Sequence, residues 1–153
     1  GISTKFIELA GELHSRMPFY VIEKISEALN TYSKKPFQKS KILILGIAYK
    51  KDIDDMRESP SLSIIEELEK KGAKVDFHDT FIPLIPRTRD HKYLAGRKSK
   101  SLSIKNIKSY DIIVICTDHS TIDYQALKKN AKVIVDTRNA IKRLKGKAIV
   151  IKA

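Results

Sequence analysis

The sequence predicts an α/β fold: a Rossmann-like parallel sheet of about five strands with helices on both faces, preceded by a long N-terminal helix. Three observations predict it. Short apolar runs without polar alternation recur at 42–45, 112–116 and 133–135, the pattern of strands covered on both faces. Helical repeats separate these runs, and strands alternating with helices indicate parallel βαβ units. Across the first thirty residues an apolar side chain returns every three or four positions, which marks one face of a helix.

Taken in order, residues 3–32 read as that helix, with Phe6, Leu9, Ala10, Leu13, Met17, Tyr20, Val21, Ile25, Ala28 and Leu29 on its apolar face. Pro18 interrupts the repeat, so a kink or a brief break is expected there. A helix of this size is about 45 Å long, more than the domain needs, and its stripe requires a cover: its own sheet or a second subunit. Residues 33–40 form a basic linker around Pro36. Residues 41–46 form the first strand. A turn follows with Gly46, Tyr49, Lys50 and Lys51, then Asp52, Asp54, Asp55 and Arg57. Ser59 and Pro60 suit the cap and first position of a helix over 60–71, whose inward side is Leu62, Ile64, Ile65 and Leu68. Gly72 suits its end.

Residues 73–78 read as the second strand. Residues 80–103 show no period and hold Pro83, Pro86, Gly96 and six lysines and arginines. Loops of such length are functional or disordered; a solvated mobile loop is expected, with a flap over a ligand or toward a second subunit as the alternative. A helical turn at 104–109, a third strand at 111–117, a short helix at 123–130, a fourth strand at 132–136 and a last strand at 148–152 complete the chain.

Lysine and arginine number 30 against 18 aspartates and glutamates, a formal net charge of +12. Nucleic acid is the first partner such a balance suggests. The lysines run along the whole chain, however, and no zinc spacing, RNA-binding signature or basic heptad accompanies them, so nucleic acid is not the expected partner. A diphosphate-binding domain joined to a less basic half carries the same excess. One cysteine, Cys116, excludes an internal disulfide and, within its apolar run, reads as a small buried hydrophobe. No run approaches the length of a membrane span and no signal-peptide pattern opens the sequence; a soluble, cytoplasmic protein is expected. The histidines His14, His78, His91 and His119 have no zinc-ligand spacing, so no metal site is expected, and no catalytic triad order or glycosidase-type carboxylate pair is visible.

In a parallel sheet the ligand crevice lies beyond the carboxyl ends of the strands. Four segments should meet there: 47–57, His78-Asp79, 117–119 and 136–139. This singles out Lys50, a point charge suited to carboxylate or phosphate, and Arg138, whose fork matches phosphate. The plainer readings are a solvated turn lysine and a strand-end salt bridge to Asp136. For Arg57 the plainer reading is an ion pair within its own acidic loop, which is weak when exposed. His78 and His119 could face each other at neighbouring strand ends, as structural rather than catalytic groups.

The stretch from Gly46 to Pro60, G-x-A-Y-K-x-D-x-D-D-x-R-E-S-P, resembles the opening of the C-terminal, UDP-binding domain of the UDP-glucose/GDP-mannose dehydrogenase family. Upstream, residues 4–12 and Met17-Pro18 resemble the helix that links the two halves of those enzymes. Downstream, His78-Asp79, Thr117-Asp118-His119 and residues 135–139 are also similar, so the resemblance covers nearly the whole chain. Pro86, Thr88-Arg89, His91 and residues 94–96 look most like the N-acetylhexosamine branch, UDP-N-acetylglucosamine 6-dehydrogenase in particular. The resemblance implies that residues 1–35 link and dimerise, giving a homodimer, and that residues 36–153 bind the UDP-sugar. It implies that Tyr49 and Lys50 contact the UDP-sugar, that Arg138 meets nucleotide-sugar or cofactor, and that Arg57 reaches the NAD held mainly by an N-terminal domain.

The family reaction oxidises the sugar C6 alcohol to a carboxylate with two hydride transfers to NAD, through a covalent cysteine in a Gly-Gly-x-Cys context that precedes the linking helix. Cys116 does not match that context, so no catalytic residue is expected. The expectation is a C-terminal portion of a larger enzyme, truncated or designed, with UDP affinity and no turnover alone. The competing readings are a basic, non-enzymatic nucleotide or nucleic-acid binding module, which predicts steeply salt-dependent polynucleotide binding, and a chain that only assembles through its first helix.

Overall fold

The computed structural model describes residues 2–153, and side chains for residues 4–13 and 15–153, so His14 lies outside the described side chains. Helix α1, Ile2–Ala28, runs on into a wider turn at Leu29–Ser33. There follow β1 (Lys41–Leu45), α2 (Pro60–Lys70), β2 (Lys74–His78), α3 (Ile104–Ser109), β3 (Ile112–Ile115), α4 (Tyr124–Asn130), β4 (Val133–Asp136) and β5 (Ile149–Lys152). The five strands form one sheet in the order β2-β1-β3-β4-β5, with every pair parallel. The expected fold is therefore the one found.

The apolar runs of β1, β3 and β4 lack polar alternation because these three inner strands feed two cores. Ile42, Ile44, Val75, Phe77, Ile112, Val114, Val133 and Val135 face the layer built by α1 and α2. Leu43, Leu45, Ile113, Ile115 and Ile134 face the layer of α3 and α4 with Ile107 and Leu127. Alternation between faces persists, but in these inner strands both faces are dry.

The brief break expected as one alternative at Pro18 does not occur. The helix continues through this residue without a break, and Pro18 is buried. The irregularity comes instead at the end, where the Lys34 N–H reaches the Leu29 carbonyl at 2.7 Å and Lys34 turns left-handed with φ 51°, which stops the helix. The chain's own core covers only one half of the apolar stripe. Val21, Ile22, Ile25, Ala28 and Leu29 are buried in the chain's own core, whereas Phe6 (68 % exposed), Ile7 (72 %) and Leu13 (57 %) stand free of it.

Residues 80–103 correct the expectation of a solvated mobile loop. Ile82, Ile85 and Leu94 are buried in the α1–α2 core. Leu84 and Lys98 form an antiparallel bridge, and Arg97 makes a forked ion pair with Glu69 of α2. The segment ends along β2, with the Lys100 N–H on the Phe77 carbonyl at 2.8 Å and His78 Nδ1 2.6 Å from the Lys100 carbonyl. It thus covers an edge strand that would otherwise present unpaired backbone groups. The absence of a sequence period is that of an irregular hairpin with few anchors, not of disorder.

Candidate functional site

The chain leaves β1 toward β2 on one side and returns to β3 on the other, so the loops after β1 and β3 diverge at a switch point. In open α/β sheets this is where ligands bind. The floor of this crevice is closed by backbone contact. Gly46, at φ 86°, ends β1 in the left-handed region, and a Cβ there would run into the carbonyl and nitrogen of Thr117. Only glycine lets the loops after β1 and β3 approach so closely. Thr117 Oγ1 then donates to the Ala48 carbonyl at 2.6 Å, and the Ser61 hydroxyl of α2 donates to the Gly46 carbonyl at 3.1 Å.

Asp79, directly after β2 and 2 % exposed, organises the rest. One carboxylate oxygen accepts the N–H groups of Ile47 (2.8 Å) and Ala48 (3.1 Å) and lies 3.0 Å from His119 Nε2. The other accepts the N–H groups of Phe81 (2.8 Å) and Ile82 (3.1 Å). His119 is fully buried. Its Nδ1 accepts the Asp52 N–H at 2.9 Å, so the proton sits on Nε2, where it is given to Asp79. The Asp52 carboxylate in turn accepts the N–H and hydroxyl of Ser120, which together hold that carboxyl below its ordinary value. The loop 46–57 is therefore pinned from below by Asp79 and from the side by His119 and Ser120. His119 has a structural place, as expected, but its partners are Asp79 and Asp52; His78 pairs with the segment along β2 instead.

Tyr49 and Lys50 sit on the exposed crest of this pinned loop, which the Tyr49 N–H closes onto the Asp55 carbonyl at 2.7 Å. The ammonium of Lys50 lies 5.8 Å from the centroid of the Tyr49 ring. Arg57 realises the plainer reading: its guanidinium clasps the Asp55 carboxylate at 2.8, 3.0 and 3.2 Å. These bonds and the Arg57 N–H hold the Asp55 carboxyl down at about 2. Asp52, Glu58 and Asn139 adopt left-handed backbone at φ 57–60°, a strained state that clusters at ligand sites and switch segments.

Arg138 lies two strands away, at the end of β4. The strand-end salt bridge to Asp136 does not form. Asp136 is buried and uses its two oxygens for the N–H groups of Arg138 (3.0 Å) and Ile141 (2.9 Å). Arg138 Nε donates to the Cys116 carbonyl at 2.8 Å, which turns the guanidinium toward β3 and leaves its terminal nitrogens without a protein acceptor among the described residues. Lys50 and Arg138 thus stand on the same carboxyl edge, with β3 between them, but no contact joins them and neither lines a cavity with the other.

A cavity of about 870 Å³ lies on the other side of the β1 loop, between α1, α2 and residues 86–91. Arg57, Phe19 and His91 line it; His91 Nδ1 is 2.7 Å from a Glu66 carboxylate oxygen but out of hydrogen-bond alignment. The loop after β1 therefore has two neighbourhoods: Tyr49-Lys50 on the carboxyl edge and Arg57 in the cavity. Lys50 and Arg138 on the edge, like Arg87 and Arg89 in the cavity, have no carboxylate partner among the described residues; what distinguishes the edge is its place at the carboxyl ends of the strands.

Cys116 is buried, and desolvation pushes its thiol up to about 12, against smaller downward effects of Ser61 and Arg138. Among the described residues no cluster of three metal-ligating side chains occurs and no helix is long and apolar enough to cross a membrane. The sequence reasoning missed the positioning roles of Asp79, Asp52 and His119, although His78-Asp79 and 117–119 were expected to converge; the missing signal is that an aspartate just after a strand can cap the next loop.

Residues 43–143 match the UDP-binding domain of the UDP-glucose/GDP-mannose dehydrogenase family. A UDP-N-acetyl-D-mannosamine dehydrogenase of Methanococcus vannielii is 34 % identical over 148 residues, covering 91 % of this chain and 31 % of the relative. A UDP-glucose 6-dehydrogenase of Rickettsia bellii is 29 % identical over 147 residues, covering 92 % and 32 %. The solved structure of the UDP-D-ManNAc dehydrogenase of Pyrococcus horikoshii superposes with a TM-score of 0.70 at 27 % identity, over 90 % of this chain and 31 % of that one. The chain spans about a third of the length of the curated relatives it matches. With its parallel sheet, its leading helix and a matched stretch that takes in every carboxyl-edge loop, the chain belongs to the UDP-glucose/GDP-mannose dehydrogenase family and carries that family's UDP-binding domain.

Proposed function

We propose that the carboxyl edge of this sheet binds a UDP-N-acetylhexosamine, UDP-N-acetylglucosamine in the first instance, as part of an NAD-dependent 6-dehydrogenase that oxidises the sugar C6 alcohol to a carboxylate. The observation that carries this reading is the pair of carboxylate-free cations, Lys50 and Arg138, held at the switch-point edge of a sheet whose loops fall inside the family's UDP-binding stretch. Lys50 supplies a point charge to sugar or phosphate oxygens, and Tyr49 beside it offers an aromatic face. Arg138 offers a bidentate fork to the diphosphate. Arg57, in the cavity beside α1, is assigned to the NAD side, where release of Asp55 frees its guanidinium. Several relatives named UDP-N-acetyl-D-mannosamine dehydrogenases support an N-acetylhexosamine over glucose.

Residues 36–153 form the ligand-binding unit in this reading, and residues 1–35 the assembly helix. The exposed apolar first half of α1, with Phe6, Ile7, Leu9 and Leu13, suits a homodimer contact. Calorimetric titration with UDP, UDP-N-acetylglucosamine, UDP-N-acetylmannosamine and UDP-glucose tests the site. Saturable binding of UDP, lost in Lys50→Ala and Arg138→Ala, is expected; heats that are unchanged by both substitutions sink the assignment. The order of the three sugars decides the substrate, and light-scattering mass with and without residues 1–17 decides the dimer.

A further inference from the structure

The cations are spread along the chain, as expected, but the acids that offset them are not. Residues 124–153 carry nine lysines and arginines against one carboxylate, that of buried Asp136, so this last fifth holds a net +8 of the chain's +12. Lys129, Lys132, Arg138, Lys142, Arg143, Lys145, Lys147 and Lys152 are exposed, and among the described residues none of the nine is in an ion pair. Everywhere else acids offset much of the basic charge.

The fold gives this charge a direction. Asp136 pins the start of the loop at the carboxyl edge through the N–H groups of Arg138 and Ile141, which places Lys142 and Arg143 next to Arg138. Lys152 pairs with Asp136 in the register of β4 and β5, at the same edge. The loop then runs back along α4. The Gln125 amide holds the Lys145 carbonyl at 2.7 Å, and Gly146 lies so close to the Lys128 carbonyl that no Cβ fits. The Ala148 N–H bonds to that same carbonyl at 3.0 Å, and the Ile149 N–H to the Lys132 carbonyl at 3.1 Å. A run of exposed cations is therefore carried from the edge, at Arg138, to the amino ends of β4 and β5, at Lys129, Lys132 and Lys147.

We propose that this run is an electrostatic guide that speeds capture of the anionic nucleotide diphosphate at the carboxyl edge; the inference rests on the UDP-binding reading above. Lys129, Lys132 and Lys147 lie one strand length, about 13 Å, from that edge, too far to touch a ligand there. They are well inside the reach of an unscreened field, about 30 Å at 0.01 M salt. One-signed charge of this kind raises association rates by roughly ten- to a thousandfold in the strongest cases. At that distance it favours the encounter state and the bound complex alike, so it raises the on-rate and leaves the off-rate alone.

The test compares the full chain with a triple variant, Lys129→Gln, Lys132→Gln and Lys147→Gln, by stopped-flow binding of a fluorescent UDP. At about 0.01 M salt the variant's association rate should fall at least about threefold. Its dissociation rate should stay the same, and the gap should close at about 1 M salt, where screening acts within about 3 Å. The matching Lys→Arg triple variant, which keeps the charge, should retain the rate. An unchanged association rate at low salt overturns the guide and leaves the binding site standing. A loss that persists at high salt, or one confined to dissociation, overturns it too, since either reports contact or altered folding. Failure of both proteins to bind UDP overturns the binding reading and the guide with it.

Discussion

Replacing Asp79 by Asn removes one oxygen from a carboxylate that accepts four backbone N–H groups and the His119 Nε2 proton. An amide offers one acceptor oxygen and one donor nitrogen. In its less costly orientation the oxygen keeps Ile47, Ala48 and His119, and the nitrogen meets the N–H groups of Phe81 and Ile82. Two donors are then left unsatisfied, at about 1–3 kcal/mol each, so Asp79→Asn should cost about 2–6 kcal/mol. Against a total of about 5–15 kcal/mol for a domain this is large. With a urea slope near 2 kcal/mol/M the midpoint should fall by about 1–3 M. UDP affinity should fall alongside, because the crest carrying Tyr49 and Lys50 is held by the Ile47 and Ala48 bonds. A loss below about 1 kcal/mol at unchanged slope would refute the claim that Asp79 is the keystone of the site.

Four further outcomes follow from the same geometry. Cys116 should resist an aromatic disulfide reagent at pH 8 in the native protein and react at once in denaturant, since burial lifts its thiol to about 12; the chain should correspondingly produce no NADH from UDP-N-acetylglucosamine and NAD, and clear turnover would contradict the buried-thiol assignment. The Asp55–Arg57 clasp is depressed-carboxylate chemistry: it contributes above the ordinary carboxyl value of 3.8 and is lost as pH falls through about 2, so a carboxyl-carbon NMR titration should find a midpoint near 2 that climbs in Arg57→Gln. Arg97→Ala removes the fork from Arg97, itself about a third exposed, to Glu69; a stability loss of only about 1 kcal/mol is expected, with faster proteolytic cutting within 80–103, and an unchanged cutting rate would show the hairpin is held by Ile82, Ile85 and Leu94 alone. Glu58, left-handed at φ 59°, should tolerate glycine with a gain of up to about 1 kcal/mol in thermal stability.

The local chemistry of this chain is legible without coordinates. Three apolar runs, the Ser59-Pro60 helix start and the helical repeat of the first thirty residues imply a parallel α/β sheet behind a long helix, because strand burial and helix capping depend on neighbours in sequence. The motif from Gly46 to Pro60 carries the family resemblance for the same reason. Three things depended on contacts between distant segments. Residues 80–103 lack a period yet fold onto α2 and β2, since three buried anchors and one ion pair suffice for an irregular hairpin. Pro18 leaves α1 unbroken, whereas the end of that helix widens at Leu29–Ser33. Asp79, Asp52 and His119 become partners only when the carboxyl ends of β1, β2 and β3 are set side by side, a juxtaposition of residues up to 67 positions apart. The charge itself is a count of residues; its alignment into a run leading to Arg138 comes from the way Asp136 and Lys128 bend the last loop around α4.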